Sequence, residues 1–181
     1  FSVSTDYIDL VRKTSASLIK INILDKDEPV HIVHKDGCDT AGCQTVWKSK
    51  SMVDASEHMF QYRVVLLRVE QNDKVIWKNP STNSASTCRP IYLIRGTEDE
   101  DFVLNPIIKY TDEKRAEIEN STMFIDVDEV RYSVTHKCHD TMKDLKLKKK
   151  ISGMGGADCI LCKSRQSDWK NIDKIKEGFP I

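Results

Sequence analysis

Two apolar runs separated by three turn-forming residues constrain this chain most. Residues 60–70 are rich in Tyr, Val and Leu, residues 74–78 carry Val75-Ile76-Trp77, and Gln71-Asn72-Asp73 between them is short enough for a hairpin. Branched and aromatic side chains at this density suit a pleated, half-buried surface. The fold therefore contains a sheet, and the remaining segments read as strands added to that hairpin or helices that cover it.

Upstream, Leu10, Val11, Leu18 and Ile21 follow Tyr7 at roughly the spacing of one helical face, with Asp6 placed to cap it. Pro29 pushes Glu28 out of helical geometry and ends this lead-in. Val30, Ile32 and Val33, set among His31, His34 and Lys35, then predict a strand that runs into turn residues Asp36 and Gly37 and on to Asp39. Residues 41–57 are polar and read as a loop. After the hairpin, residues 80–87 form a Ser/Thr/Asn loop, and residues 90–95 predict a strand with Pro90 at its first position.

The acidic run Glu98-Asp99-Glu100-Asp101 opens a helix ending near Asn120. Asn105-Pro106 reads as a cap followed by a first-turn proline, so a restart or kink is expected there. Val130, Tyr132 and Val134 alternate with Arg131, Ser133 and Thr135 in a strand leading to Asp140. A Lys-rich helix with Met142, Leu145 and Ile151 on its apolar side follows, and Gly153, Gly155 and Gly156 terminate it. The order predicts an α/β fold with antiparallel strands first and a helical crossover later, which suits an RNase H-like mixed sheet flanked by helices. The expected organisation is a helical lead-in at 1–28, a core at 29–152 and the start of a zinc-binding region at 153–181.

Composition bounds the alternatives. With 181 residues, 31% charged and 39% hydrophobic, the chain can bury a real core and is neither disordered nor a membrane protein by composition. No stretch approaches the roughly 18 uninterrupted apolar residues of a bilayer span. No signal peptide is visible, and a start at Phe1 rather than Met reads as a piece of something larger. Lys+Arg and Asp+Glu are equal at 28 each, so net charge selects no polyanionic partner, but Lys143, Lys146, Lys148, Lys149 and Lys150 crowd one segment. Six cysteines without a framework spacing point to a reducing compartment.

Asp39 and Asp140 each end a strand-like run, and carboxylates at the ends of two neighbouring strands can hold divalent ions for phosphodiester chemistry. Taken singly, Asp140 also reads as a helix cap and Asp39 as an Asx-turn residue. Cys159-Ile160-Leu161-Cys162 supplies two of the four ligands zinc requires, while paired structural thiols or a redox pair fit the same spacing. The lysines at 143–150 read as a solvated helix face or as phosphate contacts. There is no P-loop, nucleophile elbow, zincin helix or dinucleotide fingerprint.

Lys35-Asp36-Gly37-Cys38-Asp39 resembles the first-aspartate motif of the V(D)J recombinase catalytic subunit and of Transib and other recombination-activating-protein-1-like transposases. Residues 59–70 and Cys88-Arg89-Pro90-Ile91-Tyr92-Leu93 resemble later strands of that family, and the acidic helix with Asn105-Pro106 also has a counterpart. The interval from Asp140 to Cys-Ile-Leu-Cys matches that from the family's second aspartate to its zinc-binding Cys-x-x-Cys. The resemblance spans about residues 25–165.

It implies a DDE-type recombinase. Asp39 and Asp140 would bind Mg2+ or Mn2+, nicking DNA by water attack and joining the new 3'-hydroxyl to the opposite strand as a hairpin. Cys159 and Cys162 would hold Zn2+ with two His from an insertion that this chain lacks. Also implied are a nuclear location, a homodimeric parent, terminal repeats or recombination signals as DNA partner, and an accessory subunit related to recombination-activating protein 2. The family's third carboxylate, a Glu, follows that insertion, so these 181 residues alone are expected not to cut DNA. Thr40-Ala41-Gly42 departs from the Gly-rich sequence expected after the first aspartate. The rival readings are a domesticated, catalytically inactive DNA-binding derivative and a zinc-stabilised protein-interaction module.

Overall fold

A computed structural model describes residues 2–41, 59–95, 101–140, 142–143, 145–154, 158–159, 162, 164–165 and 167–173. The chain divides into two compact units, Phe1–Met142 and Lys143–Ile181. The first contains β1 (Ser2–Ser4), α1 (Tyr7–Ile21), β2 (Val30–Ala41), β3 (Met59–Gln71), β4 (Lys74–Lys78), β5 (Arg89–Arg95), α2 (Asp101–Glu119), β6 (Met123–Val127) and β7 (Val130–Asp140). The second contains α3 (Leu145–Ile151) and a short 3-10 turn at Asp168–Lys170.

The strands form one seven-stranded sheet in the order β1-β5-β3-β2-β7-β6, with β4 on β3. All pairings are antiparallel except β2 with β7, which is parallel. A parallel partner requires a crossover, and α2 with the β6–β7 hairpin supplies it. The predicted hairpin is β3–β4, turning at Asn72 and Asp73 with φ of 52° and 59°. A second hairpin, missed in the sequence, joins β6 to β7 at Asp128 and Glu129 with φ of 48° and 67°. Asp and Asn tolerate these left-handed angles better than most residues, and two in succession are what a two-residue hairpin turn demands. Glu129 carries no such preference, so the sequence does not announce the turn.

The β2–β3 ladder shifts register between Val33 and His34. Ile32 pairs with Val69 but His34 with Leu66, so the extra β3 residue moves the buried set from Val69 and Gln71 to Phe60, Tyr62 and Val64. Asn79 supports the disturbed ladder: its amide N–H donates to Leu67 O and its side-chain amide to Leu66 O, both at 2.8 Å. Gln71 similarly ties the segment between α1 and β2, accepting from Asp25 N and donating to the carbonyls of Asp25 and Glu28.

Tyr7, Val11, Ser15 and Leu18 form the buried face of α1, and the Asp6 carboxylate caps its start by accepting from Asp9 N at 2.8 Å. The expected break at Asn105-Pro106 does not occur: Pro106 lies within continuous α2. Its missing N–H removes one bond near the helix start, and the burial of Ile107, Ile108, Thr111 and Ile118 offsets that loss. Likewise Asp36 and Gly37 are not turn residues. Both lie inside β2, paired with Val64 and Arg63 of β3 on one edge, and Asp36 pairs with Asp140 of β7 on the other. Of the expected loop at 41–57, Ala41 instead ends β2 and residues 42–57 lie outside the described residues, as do the acidic residues 98–100, Gly155 and Gly156.

Candidate metal-binding site

The parallel ladder runs from Val30 opposite Val134 to Asp36 opposite Asp140, so the carboxyl ends of β2 and β7 share one edge of the sheet. Asp39 lies three residues beyond Asp36, paired with Gln61 of β3, and its side chain is exposed. At about 4.8 Å between strands and about 3.3 Å per residue, the α-carbons of Asp39 and Asp140 stand about 11 Å apart. The strand position of Asp140 is described but its side chain is not, and the same holds for Lys146 and Lys150 within α3.

The local alternatives for these aspartates lose their basis. Asp39 sits in a continuous strand rather than an Asx turn, and α3 begins only at Leu145, too late for Asp140 to cap it. Among the described residues, no three His, Cys, Asp or Glu side chains form a group suited to a metal ion.

Beneath β2 lies a polar cluster that sequence reading missed. Asp36 is fully buried; its Oδ2 accepts from Tyr7 OH at 3.1 Å and Tyr62 OH at 3.0 Å, and Arg115 Nη1 donates to Oδ1 at 3.2 Å. Burial and the neighbouring Asp36 carboxylate push both tyrosine hydroxyls above their ordinary range. Burial works against the Arg115 charge, but Asp36 and Asp112 outweigh it and hold the guanidinium above its usual value. Because Tyr7 gives its proton to Asp36, His34 must present Nε2–H to Tyr7 OH, 3.3 Å away. Its Nδ1 then remains a buried acceptor without a partner among the described residues.

His136 packs edge-on against His34 with ring centroids 5.7 Å apart, and neither of its ring nitrogens finds a hydrogen bond among the described residues. Burial lowers His34 to about 4, helped by Arg115 and His139, and lowers His136 to about 3, helped by His34. One clue to the cluster was available: even-numbered residues from Ile32 to Cys38 share a face, which places Asp36 among apolar neighbours once the strand is extended.

Gly37 is the other residue missed. A β-carbon on it would lie 2.5 Å from the Met142 carbonyl carbon and 2.8 Å from Met142 Cβ and O. Its φ of +157° is also one that side-chain-bearing residues rarely adopt. Met142 N donates to Asp36 O at 3.2 Å, so the Met142 backbone lies against β2.

In the second unit, Gly153 with φ of 67° ends α3, and Met154 N donates back to Lys149 O at 3.0 Å. Lys143 precedes the helix and is 7% exposed, while Lys148 and Lys149 are half-buried. The Cys159 amide donates to Ser164 O at 2.9 Å, and Cys162 Sγ lies 3.2 Å from Ser164 Oγ. The Ser164 hydroxyl, its backbone and Cys159 hold the Cys162 thiol below its ordinary value, which suits a thiolate metal ligand. These two sulfurs fit half of a tetrahedral zinc site, and the hard oxygens of Asp39 and Asp140 fit magnesium or manganese.

Three antiparallel strands joined through a helical crossover to a strand parallel with the first, under flanking helices, define an RNase H-like domain. Residues 32–158 match the family model of the Recombination-activation protein 1 (RAG1) RNase H domain, and the chain belongs to that family. It is thereby related to the DDE-type recombinases and transposases. No curated protein matches the chain significantly.

Proposed function

We propose that this chain supplies two of the catalytic carboxylates of a DDE-type DNA recombinase or transposase. Asp39 and Asp140 bind divalent metal, Mg2+ or Mn2+, at the shared end of β2 and β7. The observation that supports this reading is the parallel register that sets Asp140 opposite Asp36, three residues before Asp39 on β2, inside the family match. Divalent ions there would activate an attacking hydroxyl and stabilise the leaving oxygen of a phosphodiester. The chain's own part is to hold Asp39 exposed on the middle strand and to fasten Met142, two residues past Asp140, to β2. Nicking by water, followed by attack of the new 3'-hydroxyl on the opposite strand, is the reaction sequence this reading assigns to the full protein, acting as a dimer on DNA ends in the nucleus. Cys159 and Cys162 contribute half of a structural zinc site, and the α3 lysines meet phosphates.

The test is nicking of duplex DNA by the full protein carrying this domain. Asp39→Ala and Asp140→Ala should each reduce nicking at least about a hundredfold, the scale of losing several kcal/mol of charge stabilisation, while DNA binding persists. Retained cleavage in either variant rejects the assignment. A wild-type protein that binds DNA but never nicks it favours the inactive, domesticated derivative, and one with no salt-dependent DNA binding favours the protein-interaction module.

A further inference from the structure

We propose that Gly37 and Asp36 are positioning residues for the carboxyl end of β7, setting where Asp140 stands relative to Asp39. The inference rests on the reading of those two aspartates as metal ligands. Asp140 is the last residue of its strand, and a chain end without a partner frays. Here it is fastened twice. The Asp36 carbonyl accepts the Met142 amide, two residues past Asp140, and the bare α-carbon of Gly37 lets the Met142 backbone lie against β2. Any side chain at 37 meets Met142 backbone and Cβ atoms closer than 3 Å, so the Met142 backbone must lift away.

The floor of this clamp is itself fixed. Tyr7 from α1, Tyr62 from β3 and Arg115 from α2 all converge on the Asp36 carboxylate, at the rung opposite Asp140. Three elements thus hold β2 at one height, and Asp36 O and Gly37 transmit that height to Met142, two residues past Asp140. A metal site between strand ends tolerates little displacement of its ligands, and groups that orient ligands typically carry about 10- to 100-fold in metal affinity.

The experiment is a Mn2+ titration of the 181-residue chain, read as paramagnetic broadening of the amide signals of Asp39 and Asp140, beside hydrogen exchange at the Met142 amide. Gly37→Ala should accelerate Met142 exchange and weaken Mn2+ binding about tenfold or more. Val69→Ala, a buried truncation far along β3, lowers stability without touching the clamp and should leave Mn2+ affinity unchanged. If Gly37→Ala does not fold, Tyr62→Phe takes one hydroxyl from Asp36 at constant charge and should move both readouts the same way. Wild-type Mn2+ affinity in the clamp variants, or an equal loss in Val69→Ala, overturns the positioning role alone. Absence of broadening at Asp39 and Asp140 in the wild-type chain overturns the ligand reading and this inference with it.

Discussion

The Asp36 carboxylate and the Arg115 guanidinium pair at 3.2 Å beneath the sheet, with the Asp36 side chain 0% and the Arg115 side chain 17% exposed. Removing one partner of a buried pair leaves the other charged and unsolvated, which costs far more than the pair contributes over an apolar replacement. Asp36→Ala also strands the hydroxyls of Tyr7 and Tyr62. It should lower the unfolding free energy by about 3–5 kcal/mol, measured by urea denaturation. The double variant Asp36→Ala/Arg115→Met should lose less than Asp36→Ala alone, because the orphaned cation is gone. A single-variant loss below about 1 kcal/mol would show that the pair is not buried in solution.

Stability should fall on the acid side of neutrality because of His34 and His136. Their folded-state values, about 4 and about 3, lie below the ordinary 6.5 of an unfolded histidine. As pH drops below about 6.5 the unfolded chain binds protons that the folded chain refuses, so the stabilisation present above that pH is progressively lost down to the folded values. Roughly 3 kcal/mol or more should disappear between pH 7 and pH 4. His136→Leu removes a ring whose nitrogens find no hydrogen bond among the described residues. It should leave the protein no less stable at pH 7 and flatten the acid slope. An unaltered slope in thermal melts across this range would assign the acid sensitivity to other groups.

What could be read directly from the residues was the sheet-forming hairpin and the capped lead-in helix, because each rests on short-range pattern: apolar runs and a cap residue. Gly37 and Asp36 were misread for a physical reason. Asp-Gly is a strong turn signal in isolation, and long-range pairing, of both residues with β3 and of Asp36 with β7, keeps it within the strand. The β6–β7 hairpin was missed because Met123–Val127 is short and its turn uses Asp128-Glu129 rather than a glycine. Pro106 suggested a helix restart that tertiary burial of the following turns overrides. The Asp36 cluster draws on α1, β2, β3 and α2 together, and no local window contains it.

Zinc content offers a separate check on the second unit. The contacts from Ser164 that lower the Cys162 thiol favour the thiolate, the form that ligates metal. Cys159→Ser or Cys162→Ser in the full protein should abolish bound zinc by metal analysis. Ser164→Ala should retain both sulfurs yet release zinc to a chelator about tenfold more readily, as loss of an orienting neighbour does. If instead the two cysteines form a reversible disulfide and zinc content is unaffected by either serine variant, the pair is a redox site.

The equal totals of 28 basic and 28 acidic residues mean that any attraction to DNA must come from local clustering rather than net charge. Lys148 and Lys149 on α3 are the cluster members with described, half-buried side chains, whereas Lys143 is nearly covered. Each lysine that neutralises a phosphate releases condensed counterions and adds about 0.9 to the slope of log affinity against log salt. Lys148→Gln with Lys149→Gln should therefore flatten that slope by up to about 2 and weaken binding alike for unrelated duplexes. An unchanged slope would identify the run as a solvated helix face, and DNA affinity would then have to arise elsewhere on the protein.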